Sequence, residues 1–102
     1  SYWSSDDIRF GLITGDFSKV IVSNDTERTI FEVFTEPSIP FLVEKKLNQG
    51  KLGEVILNSL LQFETGIEGS LKDLSESLST LNLIGLGTTA RRAALTHLVI
   101  EK

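Results

Sequence analysis

The stretch LIGLGTTARRAAL contains the residue types that most directly suggest chemistry in this sequence. Gly85, Gly87 and Ala90 match the loose pattern G-x-G-x-x-[GA] of dinucleotide-binding turns, and Arg91 and Arg92 follow at once. Backbone N–H groups at a helix N-terminus attract anions, and a neighbouring guanidinium strengthens that attraction. These residues therefore raise the hypothesis of a phosphate site.

The surroundings of the glycines do not fit a nucleotide fold. A dinucleotide turn needs a buried strand before it and an acidic residue about twenty positions later. Here the preceding residues have helical spacing, no lysine follows Gly87 as a P-loop requires, and the sequence continues for only seventeen residues after Gly85. We therefore predict a corner where Gly85 or Gly87 ends one helix and Thr88 or Thr89 caps the next. The alternative is a generic anion site made of Gly87, Thr88, Thr89, Arg91 and Arg92.

Few other side chains are suited to catalysis or metal binding. His97 is the only histidine and cysteine is absent, so a transition-metal site would consist almost entirely of carboxylates. No serine lies in a G-x-S-x-G or S-x-x-K context. The acidic pairs fall on a predicted strand or in a polar turn, where general acid–base work is not expected. We therefore predict a non-enzymatic protein with no catalytic residue, no metal and no cofactor.

Composition and charge argue against two further classes of protein. The 102 residues have a net charge of −4, whereas nucleic-acid binding needs clustered lysine and arginine. No apolar run approaches the ~18–20 residues of a membrane span, so we expect no membrane contact. The absence of cysteine is typical of a reducing compartment, and we predict an intracellular, cytoplasmic location.

The first third of the sequence has the patterns of β-strands. Ile8, Phe10 and Leu12 alternate with Arg9 and Gly11, as in a half-buried strand. Two more β-branched or aromatic runs, VIV and TIFEVF, are separated by the polar cluster SNDTER, which resembles a turn. Connections this short suit antiparallel pairing. The sequence predicts an N-terminal three-stranded antiparallel meander followed by three to four helices, which is an α+β fold.

The remainder of the chain has helical spacing. Ser38 is predicted to cap a short helix that has Pro40 in its first turn. We expect a single domain, residues 1–102, with a β-rich half at 1–36 and a helical half at 38–102. Because the sequence begins with serine and contains no methionine, we expect it to be a piece of a longer chain.

A leucine-rich region at about residues 51–83 has apolar side chains at intervals of three and four. An eleven-residue interval recurs and corresponds to about 3.67 residues per turn of one continuous helix. Such a helix of about thirty residues would be about 45 Å long, well beyond the radius of gyration of about 13 Å expected for this chain length. The alternative is a hairpin that breaks at Thr65-Gly66, with Gly66 left-handed and Ser70 capping the second helix.

Both arrangements leave a large apolar surface to be covered. The serines between the leucines (Ser75, Ser77 and Ser79) are predicted to lie on a solvated face. We therefore predict a protein–protein interaction or self-association domain, forming a homodimer or higher oligomer or binding a partner protein. The predicted interface is a leucine stripe of Leu52, Ile56, Leu60, Phe63, Ile67, Leu71, Leu74 and Leu78. The alternative function is a regulatory domain that binds an anion or ligand at residues 85–92.

Overall fold

The computed structural model describes residues 2–100 and contains six helices within that range. The two ends of the predicted 1–102 domain, residue 1 and residues 101–102, lie outside the described residues. Residues 2–100 contain no strand, and 70% of them are helical, so the predicted α+β fold with its three-stranded meander is wrong. The helices are α1 (Ile8–Thr14), α2 (Asp25–Thr35), α3 (Phe41–Asn48), α4 (Leu52–Ile67), α5 (Leu71–Leu83) and α6 (Gly87–Ile100).

Helix α1 replaces the first predicted strand because both of its ends have helix-terminating chemistry. The Asp7 side chain accepts a hydrogen bond from the Arg9 backbone N–H at 2.9 Å, which caps the N-terminus. Gly15 ends the helix with φ +81°, a conformation that glycine adopts without strain. Ile8 and Leu12, four residues apart, are both buried on one face. The observed period is therefore that of a helix, although the same residues also fit an alternating pattern.

Helix α2 begins inside the cluster that resembled a turn. The Asn24 Oδ1 accepts from the Glu27 N–H at 2.8 Å, and the Glu27 carboxylate accepts from the Ser23 N–H at 3.0 Å. This reciprocal pattern is close to a capping box and satisfies backbone donors that a helix start would leave unpaired. Ile30 and Val33 are buried three residues apart. Local capping and core burial thus outweigh the β propensity of the run TIFEVF.

The second predicted strand, residues 20–22, lies in the irregular segment between α1 and α2. Phe17 leads this segment into the core, where its ring stacks on Phe34 with a centroid distance of 5.7 Å and meets Phe31 edge-on at 6.2 Å. The Phe17 ring lies so close to Gly11 that a Cβ at position 11 would be 2.6 Å from it. Packing of this aromatic side chain, rather than strand pairing, therefore anchors the segment.

The leucine-rich region forms two helices, so the hairpin alternative is confirmed. Helix α4 ends at Ile67, and Ser70 caps α5 by accepting from the Asp73 N–H at 3.2 Å. The left-handed residue is Gly69, with φ +135°, and not Gly66 as predicted. Gly66 instead lies within α4 and is buried.

The predicted starts of α3 and α6 are shifted. Pro40, not Ser38, occupies the N-cap position of α3, and no side chain caps that end. Helix α6 already begins at Gly87, so Thr88 and Thr89 lie in its first turn instead of capping it. The short helix and the final helix are nevertheless both present, as expected from the helical spacing.

Helix α5 lies at the centre of the fold and contacts α2, α4 and α6, while α1 packs on α6 and α3 packs on α4. The chain has a radius of gyration of 13.4 Å. Within residues 2–100, no helix has both the length and the apolar character needed to cross a membrane. The hydrophobic core consists of Ile8, Leu12, Ile30, Val33, Leu74, Leu78, Leu81, Ala90 and Ala94.

Candidate interaction surface

The face of α4 that packs on α5 is made of small and polar residues. Val55, Ser59 and Gly66 are the buried residues of this helix, and Gln62 is half-buried between them. Their spacing of four, three and four places them on one side of the helix. A Cβ at position 66 would lie 2.6 Å from the Leu74 backbone nitrogen, so glycine allows the two helices to approach closely. The closest approach of α4 to α5 is therefore made at a glycine and not at a leucine.

A polar network links the same two helices. The Gln62 Nε2 donates to Asp73 Oδ1 at 3.1 Å and to Glu76 Oε1 at 2.9 Å. The Lys72 Nζ lies 2.9 Å from Glu76 Oε2. The hydrogen bonds from Lys72 and then Gln62 lower the pKa of the Glu76 carboxyl below its ordinary value. The two hydrogen bonds of Gln62 join α4 to α5, whereas the Lys72–Glu76 pair lies within α5.

The structure divides the predicted leucine stripe at the hairpin turn. On α5, Leu74 and Leu78 are fully buried in the core, while Leu71 is exposed. On α4, Leu52 and Leu60 are about half exposed, at 49% and 48%. The other three stripe residues on α4 are half-buried or exposed. We call the five stripe residues on this helix the α4 apolar face: Leu52, Ile56, Leu60, Phe63 and Ile67. This face is contiguous, whereas the eight predicted residues do not form a single surface.

Two further exposed leucines extend the apolar surface of α4. Leu57 is 58% exposed and Leu61 is 56% exposed, and neither was included in the predicted stripe. The run LNSLLQF could have revealed them. Its adjacent leucines cannot all lie on one helical stripe, so some of them must extend the apolar surface around the helix. At 3.6 residues per turn, apolar side chains cover about two-thirds of the circumference of α4.

The α4 apolar face opens into a groove between α4 and α6. Phe63 and Ile67 line one wall, and Ala93 and Ile100 line the other. The groove has a volume of about 420 Å³. Its remaining lining residues are Thr89, Arg92, Thr96 and His97. We call this feature the α4–α6 groove, and Phe63 and Ile67 of the predicted interface line it.

The glycine corner is a helix–helix connection, as expected. Gly85 has φ +95° after the end of α5, and α6 begins two residues later. Arg91 turns away from the corner toward the C-terminal end of α1, where its Nη1 lies 3.5 Å from the Leu12 carbonyl oxygen. A Cβ at position 15 would be 2.7 Å from the same Nη1, so Gly15 makes room for the guanidinium. A cation at a helix C-terminus is favourable, and Arg91 therefore stabilises the packing of α1 on α6.

The other residues of the predicted anion site are only partly brought together. Thr88, Arg91 and Arg92 line one small hollow of about 220 Å³ beside α1, while Thr89 and Arg92 line the α4–α6 groove. Gly87 is the first residue of α6, and a Cβ there would be 2.8 Å from the Asn82 Oδ1. The residues thus point to two different surfaces, and the anion-binding alternative stays a prediction.

Residues 2–100 contain no cluster of three or more histidine or acidic side chains that could hold a metal ion. His97 lies in the α4–α6 groove among mostly apolar side chains. The absence of catalytic residues and cofactors expected from the sequence stays a prediction. In a comparison with known proteins, the chain matches no protein-family model, no curated protein and no solved structure.

Proposed function

We propose that this chain is a non-enzymatic self-association domain that forms a homodimer through the α4 apolar face. The observation that carries the proposal is the mismatch between the composition of α4 and its burial. Eight of its sixteen residues are apolar, yet Val55 is the only one of these eight that is fully buried, together with Ser59 and Gly66. A helix that is apolar on most sides is normally buried on most sides. A second chain would cover the α4 apolar face.

The arrangement of the surface supports a protein partner. An exposed apolar patch with a polar rim is typical of protein–protein interfaces, and Glu64 and Glu68 are exposed beside the apolar residues of α4. The surface also extends along a whole helix from Leu52 to Ile67, which is more than a small molecule would cover. Closed two-fold dimers are the commonest way in which one surface covers another copy of itself.

The experiment compares two adjacent leucines of α4. Leu60 belongs to the α4 apolar face, whereas Leu61 lies about 100° further around the helix, and both are about half exposed. We expect Leu60→Asp to convert a dimer into a monomer, because a buried carboxylate at the interface would be desolvated without a partner. Leu61→Asp should leave the dimer intact. Light scattering coupled to size-exclusion chromatography, over a concentration series, measures the mass of each variant.

Circular dichroism provides the folding control, and both variants should keep the helical spectrum of the parent chain. A parent chain that stays at 11.3 kDa up to millimolar concentration would contradict self-association. Equal effects of Leu60→Asp and Leu61→Asp would place the contact on another part of α4. The cytoplasmic location expected from the sequence stays a prediction that neither measurement addresses.

A further inference from the structure

The charges along the α4–α6 groove differ between its two edges. Glu64 does not line the groove, but it follows Leu60 by four residues and precedes the groove-lining Ile67 by three, so the helical period places it beside Ile67 at the outer edge of α4. Arg92 lines the groove on α6, immediately before Ala93. Both side chains belong to exposed residues, and neither takes part in the ion pairs found within residues 2–100. The groove therefore has an acidic edge on one helix and a basic edge on the other.

The directions of the helices determine how two such grooves can meet. Residues 68–70 connect α4 to α5, and residues 84–86 connect α5 to α6. Connections this short join antiparallel neighbours, so α4 and α6 run in the same direction. Phe63 on α4 and Arg92 on α6 line the same groove, and Glu64 is adjacent to Phe63, so the two charges lie at a similar level along it.

Two copies can place their grooves face to face with two different two-fold axes. An axis perpendicular to the helices brings α4 against the antiparallel α4 of the other copy, so Glu64 cannot meet Arg92 and lies near a second Glu64 where the axis crosses the helix at its level. An axis parallel to the helices brings α4 against the α6 of the other copy and sets Glu64 opposite Arg92 at both edges. Like charges across an interface are unfavourable, and opposite charges select the register. Charge complementarity therefore favours the parallel axis.

Building on the proposed function, we propose that the occupant of the α4–α6 groove is the same groove of a second copy, with the two-fold axis parallel to the helices. Helices α4 and α6 of both copies then form a four-helix arrangement around a shared apolar interior. The groove-lining Phe63, Ile67 and Ala93 face that interior, and Leu60 extends it along α4, one turn before Glu64. Each dimer contains two Glu64–Arg92 pairs, one at each edge, in the manner of the flanking charges of a coiled coil.

The experiment uses charge reversal at the two edges. Glu64→Arg places two arginines on each copy, and Arg92→Glu places two acids on each copy. Each variant alone should dimerise about tenfold more weakly, because both pairs in the dimer become repulsive. An equimolar mixture of the two variants should form a heterodimer with an affinity within about threefold of the parent chain, because both pairs are again attractive. The double variant E64R/R92E should dimerise as the parent does.

The measurement is sedimentation equilibrium for the single chains and native mass spectrometry for the mixture, in which the substitutions distinguish the two chains by mass. Glu32→Arg is the matched control, since Glu32 is exposed on α2 rather than along the groove. It should leave the association constant unchanged. Circular dichroism and thermal unfolding of dilute samples verify that each reversed chain is folded, as expected for exposed positions.

The outcomes separate this inference from the proposed function. If the parent chain is a dimer and each single variant dimerises as well as the parent does, the groove-to-groove arrangement is overturned. Self-association itself would still stand. A mixture that forms no heterodimer, although both single variants are weakened, would also overturn it. If E64R and the parent chain form a mixed dimer that is tighter than the dimer of the parent chain, the perpendicular axis would be indicated instead. A parent chain that is monomeric throughout would overturn both proposals.

Discussion

Helices α4 and α5 are neighbours in one hairpin, and α4 carries eight apolar side chains against five in α5, yet α5 is the more deeply buried of the two. In α5 every residue from Ser77 to Leu81 is buried, including two serines and a threonine. In α4 four leucines are about half exposed or more, while a serine and a glycine are buried. The difference follows from position, because α5 lies between α2, α4 and α6, whereas α4 lies at the edge of this group. Hydrophobicity alone therefore does not identify the central helix.

The buried hydroxyl groups of α5 explain how a polar stretch can occupy the centre. The Ser77 Oγ donates to the Leu74 carbonyl at 3.1 Å, and the Thr80 Oγ1 donates to the Glu76 carbonyl at 2.8 Å. Hydroxyls that bond within their own helix need no external partner and cost little when buried. The prediction that Ser77 and Ser79 lie on a solvated face is therefore wrong. Their small side chains allow three helices to pack around α5.

The largest contrast between the two helices should appear when one leucine of each is truncated. Leu78→Ala in α5 should lower the free energy of unfolding by about 2–5 kcal/mol, because Leu78 is fully buried and its removal leaves a cavity. Leu61→Ala in α4 should change it by no more than about 0.5 kcal/mol. Urea denaturation of dilute samples measures both. Comparable losses at the two positions would mean that α4 is as central to the monomer as α5.

The close contact between the helices can be tested with two glycines of α4. Gly66→Ala should destabilise the chain by about 1–3 kcal/mol, because its Cβ would lie 2.6 Å from the Leu74 nitrogen and force the helices apart. Gly53→Ala has open space within 4 Å and should stabilise the chain by up to about 1 kcal/mol, through helix propensity. Thermal unfolding midpoints should therefore move in opposite directions. A gain in both variants would show that the hairpin tolerates a wider separation.

The smallest expected effect concerns the polar network of the hairpin. Because the pKa of Glu76 is lowered in the folded chain, its contribution is present above its ordinary value of 4.5 and is lost as the pH falls through the lower folded value. Lys72→Met removes the first cause of that shift. The stability lost between neutral and acidic pH should then decrease slightly, since Lys72 is largely exposed and its interaction with Glu76 is screened by solvent.

Urea denaturation at several pH values between about 3 and 7 measures the effect of Lys72→Met, with Lys45→Met as the control. Lys45 is exposed on α3 and outside the hairpin network, so its replacement should leave the pH dependence unchanged. An unchanged pH dependence in Lys72→Met would mean that the Lys72–Glu76 pair is fully screened by solvent.

The start of α5 and the corner after it could be predicted because their causes are local, whereas the predicted starts of α3 and α6 were shifted. Ser70 with Asp73 marks the start of α5, and Gly85 marks the corner after it. The first half contained similar signals at Asp7 and at Asn24 with Glu27, but the alternating and β-branched residues beside them favoured strands instead. The caps at these positions are features of helices, but the sequence pattern predicted strands there, because β propensity depends on packing that only the fold supplies.

The residues of the candidate interface could be predicted in part, because helical period is a local property of the sequence. Helical spacing correctly groups Leu52, Ile56, Leu60, Phe63 and Ile67 on one face, because that grouping needs only the period of the helix. It also grouped Leu74 and Leu78 with them, although these two lie in the core. No local pattern distinguishes an apolar side chain that contacts α2 and α6 from one that faces outward.

The amino-acid sequence by itself determined where helices begin and end and how much apolar surface each one carries, because caps, glycine turns and helical period act over a few residues. The tertiary structure decided which of those surfaces is covered. Gly66 lies against the backbone at Leu74, and that contact turns the small face of α4 toward α5 and its leucines outward. Burial depends on residues distant along the chain, and the exposed α4 apolar face could therefore be recognised only after the helices were assembled.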